Sequence, residues 1–125
     1  MTLSGKTVLI TGASRGIGAA TAQHLASLDA NVVLVARTNN ALKQLAKDIG
    51  PKAKVMVCDV SDLKQVNAVV NASVETFGSL DILINNAGIL GPVDMLADIS
   101  PTDWDEVIDT TVKGVFYMMH AAIQI

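Results

Sequence analysis

Short runs of consecutive apolar residues alternate along this chain with longer stretches in which apolar residues recur every three or four positions. The short runs consist mainly of valine, isoleucine and leucine, which is typical of strands buried on both faces of a parallel sheet. The longer stretches are typical of helices with one buried face. The predicted strands are residues 8–10, 32–36, 53–58 and 81–85.

A helix is predicted after each strand. The expected caps are Asn39 for the second helix, Ser61 or Asp62 for the third, and Ser100 for the fourth, which runs towards the C-terminus. Residues 86–99 are predicted to form a loop before that last helix. The first helix is predicted to bury one stripe of side chains: Ile17, Ala20, Thr21, His24, Leu25 and Leu28.

Strand and helix therefore alternate four times. This order predicts an α/β fold of the Rossmann type, with three layers and a parallel sheet between helices. The length of 125 residues suits one domain, residues 1–125. Because half of the residues are hydrophobic and only 3% are aromatic, the core is expected to be aliphatic.

Charge and cysteine content narrow the classes of function. The net charge of −3, without a run of lysine or arginine, argues against a nucleic-acid partner. The uncharged run of residues 114–125 is shorter than the roughly 20 apolar residues of a membrane span. Residues 1–6 do not resemble a signal peptide, and the single cysteine, Cys58, leaves no internal disulfide; both favour a cytoplasmic protein. No constellation of side chains suggests a metal site.

Residues 11–18 read Thr-Gly-Ala-Ser-Arg-Gly-Ile-Gly and lie between the first strand and the first helix. Gly12 permits a tight turn, Gly16 lets the backbone approach a phosphate, and Gly18 lets the helix pack against the sheet. The N–H groups of residues 16–18 would point at the anion. The alternative is a glycine-rich turn without a ligand. The predicted binding residues of this loop are Gly12, Ser14, Arg15, Gly16, Ile17 and Gly18.

Two further motifs follow later strands: Asp59-Val60 after the third, and Asn85-Asn86-Ala87-Gly88 after the fourth. Together with residues 11–18, and in this order, they resemble the short-chain dehydrogenase/reductase family over essentially the whole chain. The resemblance is to the N-terminal, cofactor-binding half, and most of all to the ketoacyl reductase and sugar or steroid dehydrogenase branch. It implies a nicotinamide dinucleotide cofactor and the strand order 3-2-1-4.

The resemblance also assigns roles to residues of the two later motifs. Asp59 would contact the adenine amino group and Val60 the adenine ring through its backbone; alternatively, Asp59 is only a turn residue at the end of a strand. Residues 86–88 would line the ribose on the nicotinamide side. Asn85 is expected to hydrogen-bond neighbouring strands, which is a structural role.

The end of the second strand indicates which dinucleotide is bound. A site for NAD carries an acidic residue there, which hydrogen-bonds the adenosine ribose. Residues 35–38 contain no carboxylate, and Arg37 offers a planar guanidinium suited to a 2′-phosphate. Arg15 would approach the same phosphate from the other side. These two residues favour NADP(H) over NAD(H), unless both are solvated surface arginines.

The resemblance implies an oxidoreductase in which a tyrosine, a lysine four residues later and a serine carry the chemistry. The single tyrosine, Tyr117, is followed four residues later by Ala121, and its apolar surroundings favour a packing role. Thr111 stands where the family often has an asparagine that holds a water chain. This chain is therefore not expected to catalyse hydride transfer alone. The alternatives are a non-catalytic dinucleotide-binding or assembly module, and a structural remnant with an empty loop.

The resemblance bears on partners as well. In the complete family sheet the fourth strand is an interior strand, whereas here it would be an unprotected edge that invites pairing. The last helix also keeps an apolar face. A homo-oligomer or a complementing half is therefore the expected partner.

Overall fold

The computed structural model describes all residues 1–125 and contains one four-stranded sheet. All neighbouring strands are parallel and their order is β3-β2-β1-β4, which confirms the predicted Rossmann-type α/β fold. Val8 of β1 pairs with Val32 of β2 on one side and with Ile82 of β4 on the other. The strands are β1 (Thr7–Thr11), β2 (Asn31–Ala36), β3 (Ala53–Val57) and β4 (Ile82–Ile84).

Helices follow the strands as predicted, but the last one is interrupted. A π-helical turn, Asp109–Lys113, separates its two halves, and a 3₁₀ turn, Leu96–Asp98, lies within the predicted loop. The predicted helix therefore does run towards the C-terminus, and the change of helical geometry within it was not predicted. The helices are α1 (Gly16–Ser27), α2 (Asn40–Ile49), α3 (Leu63–Phe77), α4 (Pro101–Ile108) and α5 (Gly114–Ile123).

The core lies on both faces of the sheet, because successive strand residues point to opposite sides. Leu9, Val33 and Val35 are fully buried in a cluster with α3 and α5, whereas Ile10 and Leu34 are fully buried in a second cluster with α1 and α2. The strands are therefore covered on both faces, which explains why they read as unbroken apolar runs.

The buried face of α1 differs from the predicted stripe. Gly18 and Ala22 are its buried residues, whereas Ile17 is 78% exposed and His24 is also exposed. Small residues face the sheet because they let the helix backbone come close to it. Of the predicted stripe, Leu25 does pack against the core, whereas Ile17, Ala20 and His24 are exposed.

The helix caps agree with the sequence at two of three sites. Asp62 caps α3 by accepting from the N–H groups of Lys64 and Gln65, and Ser100 caps α4. Asn39 occupies the predicted cap position of α2, but its side chain forms no capping hydrogen bond. None of the helices combines the length and apolar character needed to cross a membrane.

Candidate functional site

The glycine-rich loop leaves β1 and enters α1 with backbone angles that favour glycine. Gly12 has a φ of +63° and Gly16 a φ of +58°, both in the left-handed region. A Cβ atom on Gly16 would meet nothing within 4 Å, so this part of the loop faces open space. The N–H groups of residues 16–18 have no protein acceptor, and no acidic side chain lies in the first turn. The loop therefore offers unpaired donors at the positive end of a helix dipole, which suits a phosphate group.

Gly18 serves packing within the protein. A Cβ atom at this position would lie 2.2 Å from the Gly12 carbonyl oxygen and 2.6 Å from Nδ2 of Asn86. The start of α1 is thus pressed against the end of β1 and the segment after β4. This is the close approach that the sequence predicted for the third glycine of the motif.

An open cleft of about 640 Å³ lies at the carboxyl ends of the strands, above this loop. It brings together ten of the twelve predicted cofactor-binding residues: Gly12, Ser14, Arg15, Gly16, Ile17, Arg37, Val60, Asn86, Ala87 and Gly88. Gly18 and Asp59 do not line it, and neither does Thr111. Seven further lining residues were not assigned from the sequence: Val35, Ala36, Thr38, Ala41, Cys58, Ile89 and Thr110. Val35 and Ala36 end β2, so their position at the carboxyl end of a strand could have predicted that they line the cleft.

Thr11 fixes the segment after β4 against the glycine-rich loop. Its buried hydroxyl accepts hydrogen bonds from the backbone N–H groups of Asn86 (3.0 Å) and Ala87 (2.9 Å). Nδ2 of Asn86 donates to the Gly12 carbonyl at 3.1 Å. The tie expected from Asn85 is therefore made by its neighbour and by Thr11, and the Asn85 side chain forms no such hydrogen bond. A threonine that ends a buried strand was the signal for this role.

Asp59 begins the turn that joins β3 to α3. Oδ1 of its carboxylate accepts from the Ser61 N–H at 3.0 Å and from the Ser61 hydroxyl at 2.7 Å. Its backbone N–H donates to Oε1 of Gln65. These bonds support the turn role that the sequence left open, and Oδ2 of the carboxylate keeps no protein partner.

Val60 joins the cleft to the core. Its side chain is buried, and a Cβ atom on Gly114 would lie 2.6 Å from its Cγ2 atom. The first residue of α5 is thus a glycine because the helix crosses directly over Val60. The start of α5 therefore packs against the residue that lines this part of the cleft.

The two arginines both line the cleft but differ in their partners. Arg37 directly follows β2, and its Nη1 atom lies 3.9 Å from Oε1 of Glu106 on α4. Arg15 forms no ion pair, and its side chain is exposed beside the glycine-rich loop. Two guanidinium groups therefore belong to the lining of the cleft.

Cys58 lines the cleft as a neutral thiol. Burial, and to a smaller extent the carboxylates of Asp59 and Asp62, raise the pKa of Cys58 to about 11. A thiol with such a pKa is almost entirely protonated at neutral pH, so it provides apolar surface and no nucleophile.

Thr111 and Tyr117, the two residues weighed for catalysis, both make contacts within the fold. The Thr111 hydroxyl donates to the Ile89 carbonyl (3.3 Å) and accepts from the Ile89 N–H (3.2 Å). It thereby ties the segment after β4 to the π-helical turn, where Thr110 lines the cleft. Tyr117 packs against the core cluster beside α3, as its apolar surroundings predicted.

Comparison with known proteins gives the same assignment as the motifs. The family model described as short chain dehydrogenase matches residues 6–125. Galactitol 2-dehydrogenase of Agrobacterium fabrum is 42% identical over 97% of this chain and 47% of its own length. The 3-oxoacyl-acyl-carrier-protein reductase of Salmonella typhimurium is 34% identical over 99% of this chain and 50% of its own length.

Solved structures with the same fold contain either nicotinamide dinucleotide. A 3-ketoacyl-acyl-carrier-protein reductase from Brucella melitensis, complexed with NADH, superposes with a TM-score of 0.95 at 36% identity, covering 98% of this chain and 50% of that one. A metagenomic short-chain oxidoreductase in complex with NADP superposes with a TM-score of 0.93 at 35% identity, covering 99% and 57%.

The chain spans about half the length of the curated relatives that it matches. Within that half, the family model covers everything from the residue before β1 to the end of α5. The three motifs, the strand order and the cleft all lie inside this match. The chain belongs to the short chain dehydrogenase family.

Proposed function

We propose that this chain is the dinucleotide-binding part of an oxidoreductase and that it binds NADP(H) in preference to NAD(H). The observation that carries the proposal is Arg37, which stands at the mouth of the cleft where NAD sites hold a carboxylate. A guanidinium group binds a phosphate through paired hydrogen bonds, and Arg37 would bind the 2′-phosphate of NADP(H) in this way. The similar structures with NADH and with NADP allow either cofactor, so the preference rests on Arg37 and Arg15.

The cleft and its donors fit a dinucleotide. The pyrophosphate would accept from the unpaired N–H groups of residues 16–18, which no side chain caps. The adenine would lie beside Val60 with its amino group near the free Oδ2 atom of Asp59. The ribose on the nicotinamide side would lie against residues 86–88. When bound, the cofactor supplies the hydride, and this chain's own residues bind and orient it.

We further propose that these 125 residues do not transfer hydride alone. Tyr117 is the single tyrosine, it packs against the core cluster, and Ala121 stands four residues later, where the resemblance implies a lysine that lowers the tyrosine pKa. The relatives that this chain matches are about twice as long. The complete enzyme would carry out hydride transfer between the nicotinamide and a carbonyl or alcohol carbon.

An apolar surface also favours a polypeptide partner. β4 pairs only with β1, so its other edge is open. Large apolar side chains around that edge and on α5 are exposed: Leu90, Val93, Met95, Leu96, Val112, Phe116, Met119 and Ile123. A surface of this kind is typical of an interface. We propose that a second copy or a complementing half covers it.

The test is a titration of the wild-type chain with NADPH and with NADH, followed by nicotinamide fluorescence. We expect saturable binding of both and at least tenfold tighter binding of NADPH. Arg37→Gln should weaken NADPH binding about tenfold and leave NADH unchanged, whereas Lys43→Gln, an exposed cation on α2, should change neither. Equal effects of Arg37→Gln on the two cofactors would contradict the assigned preference.

Turnover separates the enzyme from the binding module. We expect no carbonyl-dependent oxidation of NADPH by these 125 residues with a panel of ketones and ketoacyl thioesters. Steady oxidation would refute the proposal that they are inactive alone. Failure of both NADPH and NADH to bind would instead favour a structural remnant.

A further inference from the structure

An ion pair joins Arg37, which lines the cleft, to a carboxylate of α4. Nη1 of Arg37, directly after β2, lies 3.9 Å from Oε1 of Glu106 on α4, and both side chains are about half exposed. Thr110, one helical turn after Glu106, lines the cleft. Glu106 itself does not line the cleft, and its carboxylate reaches the site through Arg37, which does.

We propose that Glu106 is a specificity-determining residue that competes with the 2′-phosphate of the cofactor for Arg37. This inference rests on the proposed function, because it concerns the same arginine and the same phosphate. It goes beyond that function by assigning a role to a carboxylate of α4, which none of the three sequence motifs contains.

The competition follows from charge and geometry. The carboxylate neutralises part of the Arg37 charge, and a phosphate dianion that binds this guanidinium also comes close to the carboxylate. Both effects oppose binding of the phosphate. The pair is long and solvated, so its strength is that of an exposed ion pair and a dianion with paired hydrogen bonds can displace it.

The effect is selective between the two cofactors. A dinucleotide without the 2′-phosphate places no second anion beside Glu106 and has no need to break the pair. Glu106 therefore lowers the ratio of the NADP(H) affinity to the NAD(H) affinity that Arg37 raises. The discrimination of this site therefore depends on Glu106 as well as on the two arginines, because the packing of α4 brings Glu106 to Arg37.

The test uses two small probes that differ only in the phosphate. 2′,5′-ADP and 5′-AMP are titrated by calorimetry into the wild-type chain, Glu106→Gln and Asp105→Asn. The Asp105→Asn control removes the same charge from the neighbouring position of α4, whose side chain forms no ion pair with Arg37. We expect Glu106→Gln to bind 2′,5′-ADP about fivefold more tightly, which corresponds to about 1 kcal/mol, and 5′-AMP unchanged. Asp105→Asn should change the 2′,5′-ADP affinity by less than about twofold.

A second variant links the effect to Arg37. In an Arg37→Gln background, the additional change Glu106→Gln should improve 2′,5′-ADP binding by less than about twofold, because competition for Arg37 is gone and only the repulsion between the carboxylate and the phosphate remains. A fivefold gain that persists in that background, or an equal gain from Asp105→Asn, would overturn the inference. If neither probe binds the wild-type chain, the proposed dinucleotide site itself is refuted. Binding of both probes with no change in Glu106→Gln would refute only the role of Glu106.

Discussion

Gly18 and Gly16 stand two residues apart in the same loop, and the fold requires each for a different reason. At Gly18 the backbone angle is ordinary, but a Cβ atom would overlap the Gly12 carbonyl. At Gly16 the surrounding space is open, and only the positive φ favours glycine. Gly18 therefore matters for packing inside the protein, and Gly16 for the shape of the turn that faces the ligand.

This difference predicts unequal costs for two equal substitutions. Gly18→Ala is expected to lower the free energy of unfolding by about 3 kcal/mol, because a rigid carbonyl must move. Gly16→Ala should cost about 1 kcal/mol, the strain of a left-handed residue that has room for its methyl group. Urea denaturation of both variants measures the two values. Equal losses in the free energy of unfolding would show that the overlap with the Gly12 carbonyl does not destabilise Gly18→Ala.

At the scale of single elements, α2 and α4 begin differently although both have a good capping residue. The hydroxyl of Ser100 accepts from the Asp103 N–H at 3.1 Å, with Pro101 following at the first helical position. Oδ1 of Asn39 is buried without a hydrogen-bond partner. Residue type therefore predicted both helix starts, and the local backbone angles decided which side chain caps.

The caps predict a contrast in stability. Ser100→Ala should destabilise the protein by about 1 kcal/mol, because the N–H of Asp103 loses its acceptor. Asn39→Ala removes no hydrogen bond and should cost less than about 0.5 kcal/mol in the same urea titration. A larger loss at Asn39 would mean that its amide stabilises α2 in solution through a contact absent from this structure.

A carboxylate joins the beginning of β4 to the beginning of β1. Asp81 accepts from the Thr7 N–H at 2.9 Å, from the Ser79 hydroxyl at 2.8 Å and from Lys6 at 3.4 Å. These bonds, that of Thr7 above all, hold the pKa of Asp81 below its ordinary 3.8. The native state therefore binds fewer protons there than the unfolded chain when the pH is near 4.

The lowered pKa predicts how stability depends on pH. The contribution of Asp81 is fully present above the unfolded pKa and is lost as the pH falls through the lower native pKa. Asp81→Asn should therefore reduce the loss of stability between pH 6 and pH 3, measured as the urea midpoint. Asp98→Asn, whose carboxylate accepts no hydrogen bond, is the control. A variant Asp81→Asn with the pH dependence of the wild type would disprove the linkage.

At the scale of the whole molecule, helices cover both faces of the sheet, but nothing covers its edge at β4. α1 and α2 cover one face of the sheet and α3 with α5 the other, whereas the free edge of β4 and the apolar segment after it remain exposed. Phe116 is 56% exposed and Ile123 81% exposed on that side. Burial of such side chains is the main driving force of association.

The exposed surface predicts association that depends on concentration. Sedimentation velocity of the wild-type chain should show a sedimentation coefficient that rises with protein concentration. The double variant Phe116→Glu and Ile123→Glu should shift the chain towards monomer, because charges on an apolar interface are costly to bury. Ile17→Glu, an equally exposed apolar position outside this surface, is the control. A wild-type chain that stays monomeric, or a shift with Ile17→Glu alone, would contradict the proposed interface.

The sequence by itself determined the order of the elements and the residues around the phosphate-binding turn, because both depend on local rules. Buried parallel strands need unbroken apolar runs such as residues 32–36, and a positive φ at Gly12 or Gly16 needs glycine. Only the tertiary structure decided which side chains meet across the fold. Thr11 binds the segment after β4, and Arg37 faces Glu106, because the parallel sheet brings separate strand ends and α4 to one edge. Such contacts join residues far apart along the chain, and no local periodicity encodes their distance.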